Sequence, residues 1–181
     1  MASSTAVETA ACGPAALVRA PAGVLIRELA HSDRAAVAFA FRRLSARSRY
    51  RRFLTEKHTL SERELDATLE IDQWHRGGVI AFSPPPRAPI GLARYVRLAE
   101  FDTAEVALEV TDAWQRRGVG WALLWQLRER ALNAGVCRFR ATMLRENRGA
   151  AILACRLGPV ATLSSDGPER EAMIELSELH P

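Results

Sequence analysis

The alternation of apolar and polar positions along the chain predicts a mixture of strands and helices. Short apolar runs rich in β-branched residues predict strands at residues 24–29, 77–82, 90–97, 105–110, 136–143, 160–164 and 171–176. Apolar residues at helical spacing predict helices at residues 32–44, 61–70, 121–131 and 147–157. This order of elements predicts an α/β (α+β) fold, in which helices cover the faces of a mixed sheet.

Capping and turn residues mark several boundaries of these elements. Ser32 or Asp33 can cap the first helix, and Ser61 with Glu64 three residues later forms a capping-box pattern. Prolines at residues 84–86 predict a stiff loop between two strands, because proline has no N–H group for a sheet ladder.

The stretch from residue 105 to residue 120 has the layout of an anion-binding strand–turn–helix unit. A buried strand leads into a short polar turn, then into Gln-Arg-Arg-Gly-Val-Gly at residues 115–120, and then into an apolar helix. The first N–H groups of a helix lack internal partners, and the helix dipole places partial positive charge there. Because Gly118 and Gly120 have no Cβ, a pyrophosphate could come close to the backbone.

Two common nucleotide-binding motifs do not fit this loop. A P-loop ends in Gly-Lys-Ser/Thr, whereas this chain has Gly120-Trp121-Ala122. A dinucleotide fingerprint needs a third glycine three residues after Gly120, and that residue is Leu123. From these residues alone, a tight turn that binds nothing remains an alternative.

Length and composition limit the domain organisation. The 181 residues, 48% of them hydrophobic, suffice for one domain with a full-sized core and leave little room for a second. We expect residues 1–23, which are rich in Ala, Ser, Thr, Gly and Pro, to form a flexible tail, and residues 24–181 to form the single domain. The tail lacks the basic start and apolar core of a signal peptide, and no apolar run of the chain approaches the length of a membrane span.

The distribution of charge raises one alternative function. The net charge is +4, and nearly all of the positive charge is arginine, since Lys57 is the only lysine. Within residues 45–54, four arginines alternate with Tyr50 and Phe53, which could indicate a nucleic-acid-binding patch. We favour an arginine-coated helix that buries its two aromatic residues, because the chain has no second basic stripe and no recognised nucleic-acid motif.

The cysteines argue against two further kinds of site. Cys12, Cys137 and Cys155 are odd in number and form no C-x-x-C or Cys/His ligand set. This pattern argues against a disulfide framework and against a zinc site, and it is typical of a protein in a reducing cytoplasm. We therefore expect no bound metal.

Several motifs resemble a known family. Residues 115–120 fit the Gln/Arg-x-x-Gly-x-Gly/Ala loop of the GNAT superfamily of acyl-CoA-dependent N-acyltransferases, and the order of elements is also similar to that family. Asn147 and Leu157-Gly158 resemble the family's Asn…Leu-Gly segment. One branch of the family is the bacterial Pat-type protein lysine acetyltransferases, which have a Leu-Ser-x-x-Ser-Arg-Tyr-x-Arg-Phe block. Leu44-Ser45, Ser48-Arg49-Tyr50 and Arg52-Phe53 resemble this block. Residues 90–95 and 104–107 are also similar to that branch. The resemblance covers residues 24–176 and implies a mostly antiparallel sheet of six to seven strands with about four helices.

The resemblance implies acetyl-CoA as the acyl donor. Many family members have a bulge near the end of the central strand, so the main-chain groups of Leu108, Glu109 and Val110 are expected to bond the acetyl and pantetheine amides. The pyrophosphate is expected to bind the loop formed by Gln115, Arg116, Arg117, Gly118, Val119, Gly120 and Trp121. Asn147 could bond the pantetheine arm, or it could serve only as the N-cap of its helix.

Acylation of an amine requires a base, because a lysine ammonium with a pKa of about 10.4 is almost fully protonated at neutral pH. Glu105 is the first candidate, since it lies on the central strand and matches the base in the family's Ala-Glu-x-x segment. Glu109 is the second, because with a period of two it faces the same side of the strand. Many small-molecule GNAT enzymes use a tyrosine acid where this chain has Ala154, so the sequence assigns no general acid. Cys155 lacks a His/Asp partner for a nucleophilic role, and His75 has no evident partner either.

These features predict an N-acetyltransferase of the cytoplasm. The Pat-like branch implies that the acceptor is a lysine of a protein, with an acyl-CoA synthetase as the expected partner, and the missing tyrosine favours the same branch. We expect no fused cyclic-nucleotide or synthetase-like domain, no membrane partner and no nucleic-acid partner. A small amine as acceptor, and a non-catalytic module that senses acyl-CoA, remain the two alternatives.

Overall fold

Seven strands form one sheet in the computed structural model, which describes residues 20–164 and 167–176. The strands are β1 (Leu25–Glu28), β2 (Arg76–Phe82), β3 (Pro89–Arg97), β4 (Thr103–Val110), β5 (Arg138–Leu144), β6 (Val160–Ser164) and β7 (Glu169–Glu175). Their order in the sheet is β1-β2-β3-β4-β5-β7-β6, and every neighbouring pair is antiparallel except β4 and β5. The predicted mostly antiparallel sheet is confirmed, whereas most of the predicted tail lies outside the described residues.

Five helices in the described part of the chain pack around this sheet. They are α1 (Arg34–Arg42), α2 (Ala46–Phe53), α3 (Glu62–Leu69), α4 (Val119–Asn133) and α5 (Arg148–Leu157). Short 3-10 turns at His31–Asp33 and Asp112–Trp114 lie before α1 and α4. Four of these helices were predicted from apolar periodicity. The fifth is α2, which is formed by the arginine-rich segment.

The predicted helix caps are correct for α3 but not for α1. The Ser61 hydroxyl accepts a hydrogen bond from the Glu64 amide at 3.3 Å, and the Glu64 carboxylate accepts one from the Ser61 amide at 2.9 Å. Asp33 occupies the N-cap position of α1 without capping the helix. Its carboxylate instead accepts hydrogen bonds from Arg27 at 2.6 and 2.7 Å, which joins β1 to the start of the helix.

The sheet separates two apolar clusters. On one face, which we call the α4 face, α4 and α5 cover the sheet with a large cluster that includes Leu123, Leu127, Phe139, Leu157 and Ile174. On the other, which we call the α1 face, α1 and α3 cover a smaller cluster formed by Leu29, Val37, Leu65, Leu69, Ile80 and Leu92. Both clusters are made of the apolar positions whose periodicity predicted the elements.

Strand β4 contributes to both faces. Val106, Leu108 and Val110 pack against the cluster of the α4 face. Because successive side chains of a strand alternate between its two sides, Glu105 and Glu109 both lie on the α1 face. The alternation predicted for the two candidate carboxylates is therefore present.

Candidate active site

The parallel pairing between β4 and β5 is short. Its register runs only from Thr103 opposite Arg138 to Glu105 opposite Arg140. Residues 106–110 of β4 continue to pair with β3, and their edge towards β5 has no strand partner in the described structure. The two strands therefore diverge and open a cleft that begins at Glu105 and leads towards the start of α4.

The open edge of β4 is long enough for an extended ligand. From Glu105 to Val110 the strand covers about 17 Å, at roughly 3.4 Å per residue. The main-chain groups of a strand point alternately to its two edges, and those of Val106, Leu108 and Val110 face the cleft. All of these except the Val110 carbonyl, which accepts a hydrogen bond from Gln115, are open to a ligand in the cleft. Such a ligand would have one end near α4 and the other end near Glu105.

The loop before α4 has a backbone shape that favours anions. Arg116 has a φ angle of 56° and Gly118 one of 84°, both in the left-handed region, whereas Arg117 between them is not left-handed. Alternating backbone conformations of this kind turn successive N–H groups towards one point, where an anion can bind. The left-handed conformation of Arg116, a residue with a side chain, is an unusual feature that the sequence did not predict.

The start of α4 adds free donors to the same loop. The first hydrogen bond of the helix runs from the Ala122 amide to the Gly118 carbonyl at 3.0 Å. The amides of residues 119–121 precede it and have no carbonyl within the helix to bind. The side chains of Arg116 and Arg117 are exposed beside them, so backbone donors and two cations meet at one end of the cleft.

The two glycines of the loop differ in how well each position could accept a side chain. Gly118 has a left-handed conformation that would strain any residue with a side chain, whatever the space around it. At Gly120, a Cβ atom would lie 3.4 Å from Leu108 Cδ2 and 3.5 Å from Leu153 Cδ1, which are ordinary contacts. A Cβ atom at Gly120 would therefore fit between α4, β4 and α5 without displacing them.

Two side chains of the predicted phosphate loop are engaged within the domain. Gln115 donates through Nε2 to the Ser48 hydroxyl and to the Val110 carbonyl, each at 3.0 Å. Trp121 is buried and packs on Trp125, with ring centroids 5.6 Å apart. These side chains stabilise the loop and the core, so any contact of Trp121 with a ligand would come from its amide.

The Asp112 carboxylate joins helix α2 to this loop. It accepts hydrogen bonds from the Ser45 amide at 2.7 Å and from the Ser45 and Ser48 hydroxyls at 2.8 Å each. Burial raises the pKa of Asp112, but these hydrogen bonds outweigh burial and hold the pKa below its usual value. Ser45 is also the N-cap of α2, because its hydroxyl accepts a hydrogen bond from the Ser48 amide. We call Ser45, Ser48 and Asp112 the Asp112 anchor.

The two candidate bases have different surroundings. Glu105 is exposed at the point where β4 and β5 separate. Glu109 is only 8% exposed, and its Oε2 atom lies 3.5 Å from Nε of Arg52 on α2. Burial raises the pKa of Glu109, and the positive charges of Arg52 and Arg94 oppose this rise without cancelling it.

Arg94 completes a charged cluster on the α1 face. It lies on β3 and donates a hydrogen bond to the Ala67 carbonyl of α3 at 3.2 Å. Burial and the positive charge of Arg52 lower the pKa of Arg94, and the charges of Glu109 and Glu105 oppose that fall. Two arginines and two carboxylates thus lie on the α1 side of the cleft.

Other predicted residues have structural partners. Asn147 caps α5, since its Oδ1 accepts a hydrogen bond from the Ala150 amide at 3.2 Å, and its Nδ2 has no hydrogen-bond partner among the described residues. Ala154 is buried in the large cluster and offers no acid. His75 does have a partner, contrary to the sequence analysis, because its Nδ1 lies 3.1 Å from Oδ2 of Asp72.

The aromatic residues of α2 differ from the prediction. Phe53 packs edge-on against Phe41, with ring centroids 5.7 Å apart. Tyr50 is 41% exposed, so the prediction that α2 buries both aromatic residues is wrong for Tyr50. The reason is that only Phe53 of the two faces α1, while the other contacts of α2 are mainly polar and the helix has no fully buried residue.

Cys137 and Cys155 are free thiols, and Cys12 lies outside the described residues. Within residues 20–164 and 167–176, no group of three or more His, Cys, Asp or Glu side chains could hold a metal ion. No helix in those two ranges is both long and apolar enough to cross a bilayer.

The sequence analysis named Ser45, Ser48 and Arg52 only as part of a family-like block, and it missed the contacts through which they connect α2 to the cleft. The Asp112 anchor joins residues 67 positions apart, and Arg52 meets Glu109 across a similar distance in sequence. A local signal existed only for the cap, because Ser45 followed three residues later by Ser48 fits an N-cap pattern. Arg94 could have been noticed as a charged residue within an apolar strand.

The diverging strands β4 and β5 and the donor-rich loop before α4 agree with the family resemblance of the sequence. The chain belongs to the acetyltransferase (GNAT) family, whose family model matches residues 38–158. The fold and the enzyme class expected from the resemblance are thereby confirmed.

Three individual proteins illustrate how similar this chain is to other acetyltransferases. The structure is similar to that of the GNAT domain of PAT from S. lividans, with 27% identity and a TM-score of 0.75, over 83% of this chain and 89% of that one. Acetyltransferase PA5475 from Pseudomonas aeruginosa is 29% identical over 145 residues, which are 79% of this chain and 78% of that protein. The structure of yncA from Salmonella typhimurium with its cofactor acetyl-CoA is 18% identical, with a TM-score of 0.66 over 86% of this chain and 95% of that one, and shows the shared fold.

Proposed function

We propose that the protein transfers an acetyl group from acetyl-CoA to the ε-amine of a lysine in another protein. The cleft between β4 and β5 carries this proposal, because it has an anion-binding loop at one end and the exposed carboxylate of Glu105 at the other. The length of β4 from Glu105 to Val110, about 17 Å, suits a donor whose phosphates and reactive carbonyl are far apart. The likeness to the GNAT domain of PAT supports a protein acceptor, and on the same basis we propose an acyl-CoA synthetase.

Backbone groups supply most of the donor site in this proposal. The amides at the start of α4 would bond the pyrophosphate, with Arg116 and Arg117 adding positive charge. The open edge of β4 at Val106, Leu108 and the Val110 amide would bond the pantetheine amides and the acetyl carbonyl. The main-chain groups of Glu109, which were also expected to bond the donor, face β3 instead. The free side-chain amide of Asn147 would donate to the same arm, in addition to its observed role as a helix cap.

Glu105 would act as the general base. The lysine ammonium would give a proton to Glu105, directly or through one water, and the neutral nitrogen would attack the thioester carbonyl carbon. The C–N bond forms and the nitrogen loses its second proton to water. The C–S bond breaks, and the coenzyme leaves as a thiolate that takes a proton from water, since Ala154 offers no acid. Glu109 is the weaker candidate, because an ammonium could reach this buried carboxylate only after Arg52 had moved.

Labelled acetyl-CoA incubated with a host lysate, with a purified acyl-CoA synthetase and with small amines tests the acceptor. We expect label in lysine side chains of protein. If polyamines, aminoglycosides or free amino acids react far faster than any protein, the small-molecule alternative is correct. Binding of acetyl-CoA without turnover on any amine would indicate the sensing module instead.

Glu105→Gln tests the base. Its binding of acetyl-CoA should be unchanged, while turnover at neutral pH should fall by about 10²–10⁴-fold, the usual contribution of a positioned base. The defect should shrink as the pH approaches the pKa of the amine, because solution then supplies the neutral amine. Glu109→Gln is the matched control and should lose less activity. A defect of Glu105→Gln that is the same at every pH would exclude the role of base.

A further inference from the structure

The outer side of α2 presents arginine and aromatic side chains next to the cleft. Arg47, Tyr50 and Arg51 are spaced i, i+3 and i+4, so they lie on one side of the helix. The Arg47 side chain is 72% exposed, and Tyr50 is the exposed aromatic residue noted above. We call these three residues the α2 surface. Arginine and tyrosine are among the residues that most often contribute strongly to protein–protein binding.

The α2 surface is not what holds α2 on the domain. The helix is held by the Asp112 anchor on one side and by the contact between Arg52 and Glu109 on the other. Arg49 adds hydrogen bonds to the His58 carbonyl at 3.1 Å and the Arg42 carbonyl at 3.3 Å. Arg47 and Tyr50 are therefore available for a partner, whereas the Arg51 side chain, which is 28% exposed, offers only part of its surface.

The two cations of the α2 surface are only weakly compensated. Their nearest carboxylate is that of Glu146, whose Oε1 lies 3.9 Å from Nη2 of Arg47 and 3.9 Å from Nη2 of Arg51. The Glu146 side chain is 68% exposed, and ion pairs this long and this exposed contribute about 0–1 kcal/mol. One carboxylate shared by two guanidinium groups leaves an excess of positive charge.

This excess charge lies where a protein acceptor would meet the domain. Helix α2 contacts both β4 and β5, so it lies beside the cleft. A protein whose lysine enters the cleft would bring the residues around that lysine against the two arginines. Carboxylates among those residues would bind the guanidinium groups.

We infer that the acceptor protein carries acidic residues close to its target lysine, and that they bind Arg47 and Arg51. This inference rests on the proposed function and specifies the chemistry of its acceptor. A protein fits the surface better than a nucleic acid does, because the sequence has no second basic stripe and no recognised nucleic-acid motif that would follow a row of phosphates.

Three synthetic peptides test this inference. They share one central lysine and differ only in four flanking positions, which are all Glu, all Gln or all Lys. Two exposed ion pairs should make kcat/KM for the Glu peptide higher than for the Gln peptide by about 2-fold to 30-fold. The ratio should fall as the salt concentration rises from about 0.05 M to about 0.5 M, because salt screens exposed charges. Peptide binding in the presence of coenzyme A, measured by fluorescence anisotropy, should show the same order.

Two variants connect the effect to the α2 surface. In the double variant R47E/R51E, the Glu peptide should lose its advantage and the Lys peptide should become the best of the three. Arg63→Glu is the matched control, because Arg63 is an exposed arginine at the start of α3, where an acidic residue is favourable to the helix. It should keep the wild-type order. Unchanged thermal unfolding and acetyl-CoA binding of R47E/R51E would show that the double variant is folded.

The outcomes separate this inference from the proposed function. Equal binding and equal turnover of the three peptides would overturn the inference and leave lysine acetylation in place. Graded binding without any turnover would support the α2 surface and contradict the acetylation of lysine. A double-stranded oligonucleotide that displaces the Glu peptide at equal concentration would overturn the assignment to an acidic protein.

Discussion

Replacement of Asp112 by alanine should release α2 from the phosphate loop. The substitution removes three hydrogen bonds, from the Ser45 amide and from the Ser45 and Ser48 hydroxyls. At about 1 kcal/mol each, these bonds together contribute roughly 3 kcal/mol. Because α2 has no buried residue, we expect this free energy to be lost as local opening of the helix more than as unfolding of the whole domain.

Asp112→Asn is the matched control for this substitution. Its Oδ1 can still accept from the Ser45 amide, and its Nδ2 can donate to the Ser45 and Ser48 hydroxyl oxygens, since hydroxyls also accept. We expect a loss of about 1 kcal/mol or less. The pKa of Asp112 lies below its usual value, so the wild-type anchor is at full strength above the pKa of an unfolded aspartate, about 3.9, and weakens as the pH falls through the folded pKa. The asparagine variant should lack this dependence.

Hydrogen exchange of the α2 amides measures the effect directly. A loss of about 3 kcal/mol corresponds to exchange that is faster by roughly 100-fold in Asp112→Ala, provided that exchange occurs through local opening. Acetyl-CoA should also bind more weakly, because Gln115 of the same loop donates to Ser48. If the α2 amides of Asp112→Ala exchange as slowly as those of the wild type, the anchor does not hold the helix and the reasoning fails.

Three further expectations concern the donor site and Glu109. Acetyl-CoA at 100 times its Kd should stabilise the fold by about 2.7 kcal/mol, which a thermal shift assay would detect, and no shift at saturating donor would contradict the assigned loop. Gly118→Ala should weaken the shift because its φ of 84° strains alanine, whereas Gly120→Ala should keep it because its new Cβ meets neighbours at 3.4 Å or more. The raised pKa of Glu109 means that the wild type loses stability as the pH rises from the unfolded pKa through the folded pKa. The stability of Glu109→Gln, measured by urea titration, should therefore rise relative to that of the wild type over this pH range. An opposite trend would show that the charges of Arg52 and Arg94 outweigh burial.

The fold could be predicted because each element has a local signal. The apolar runs gave every strand of the sheet, and the Ser61 and Glu64 capping box placed the start of α3 correctly. The loop at residues 115–120 was recognisable because its signal is local in the sequence: two glycines lie between an apolar strand run and an apolar helix run. Boundaries shifted by a few residues, as in β5, which begins at Arg138 instead of at residue 136.

The arrangement around the cleft could not be predicted, because it depends on contacts between distant residues. Glu105 and Glu109 look alike in the sequence, yet Arg52 from α2 makes the second a buried partner and leaves the first exposed. Trp121 has no local signal for its burial, which results from its place in the cluster that α4 forms with the sheet and α5. Both sets of contacts form only when elements separated in sequence meet.

The short seam between β4 and β5 has a mechanical consequence. Strands β1–β4 come from residues 25–110, and β5–β7 come from residues 138–175, so the sheet consists of two halves that are separate stretches of chain. Within the described sheet, strand pairing connects these halves through three residue pairs, while helices α2 and α4 contact both halves, and the proposed donor site lies at their joint. The angle between the halves sets the width of the cleft. Substitutions far from any ligand that tilt one half against the other should therefore change donor affinity without altering a single donor-binding group.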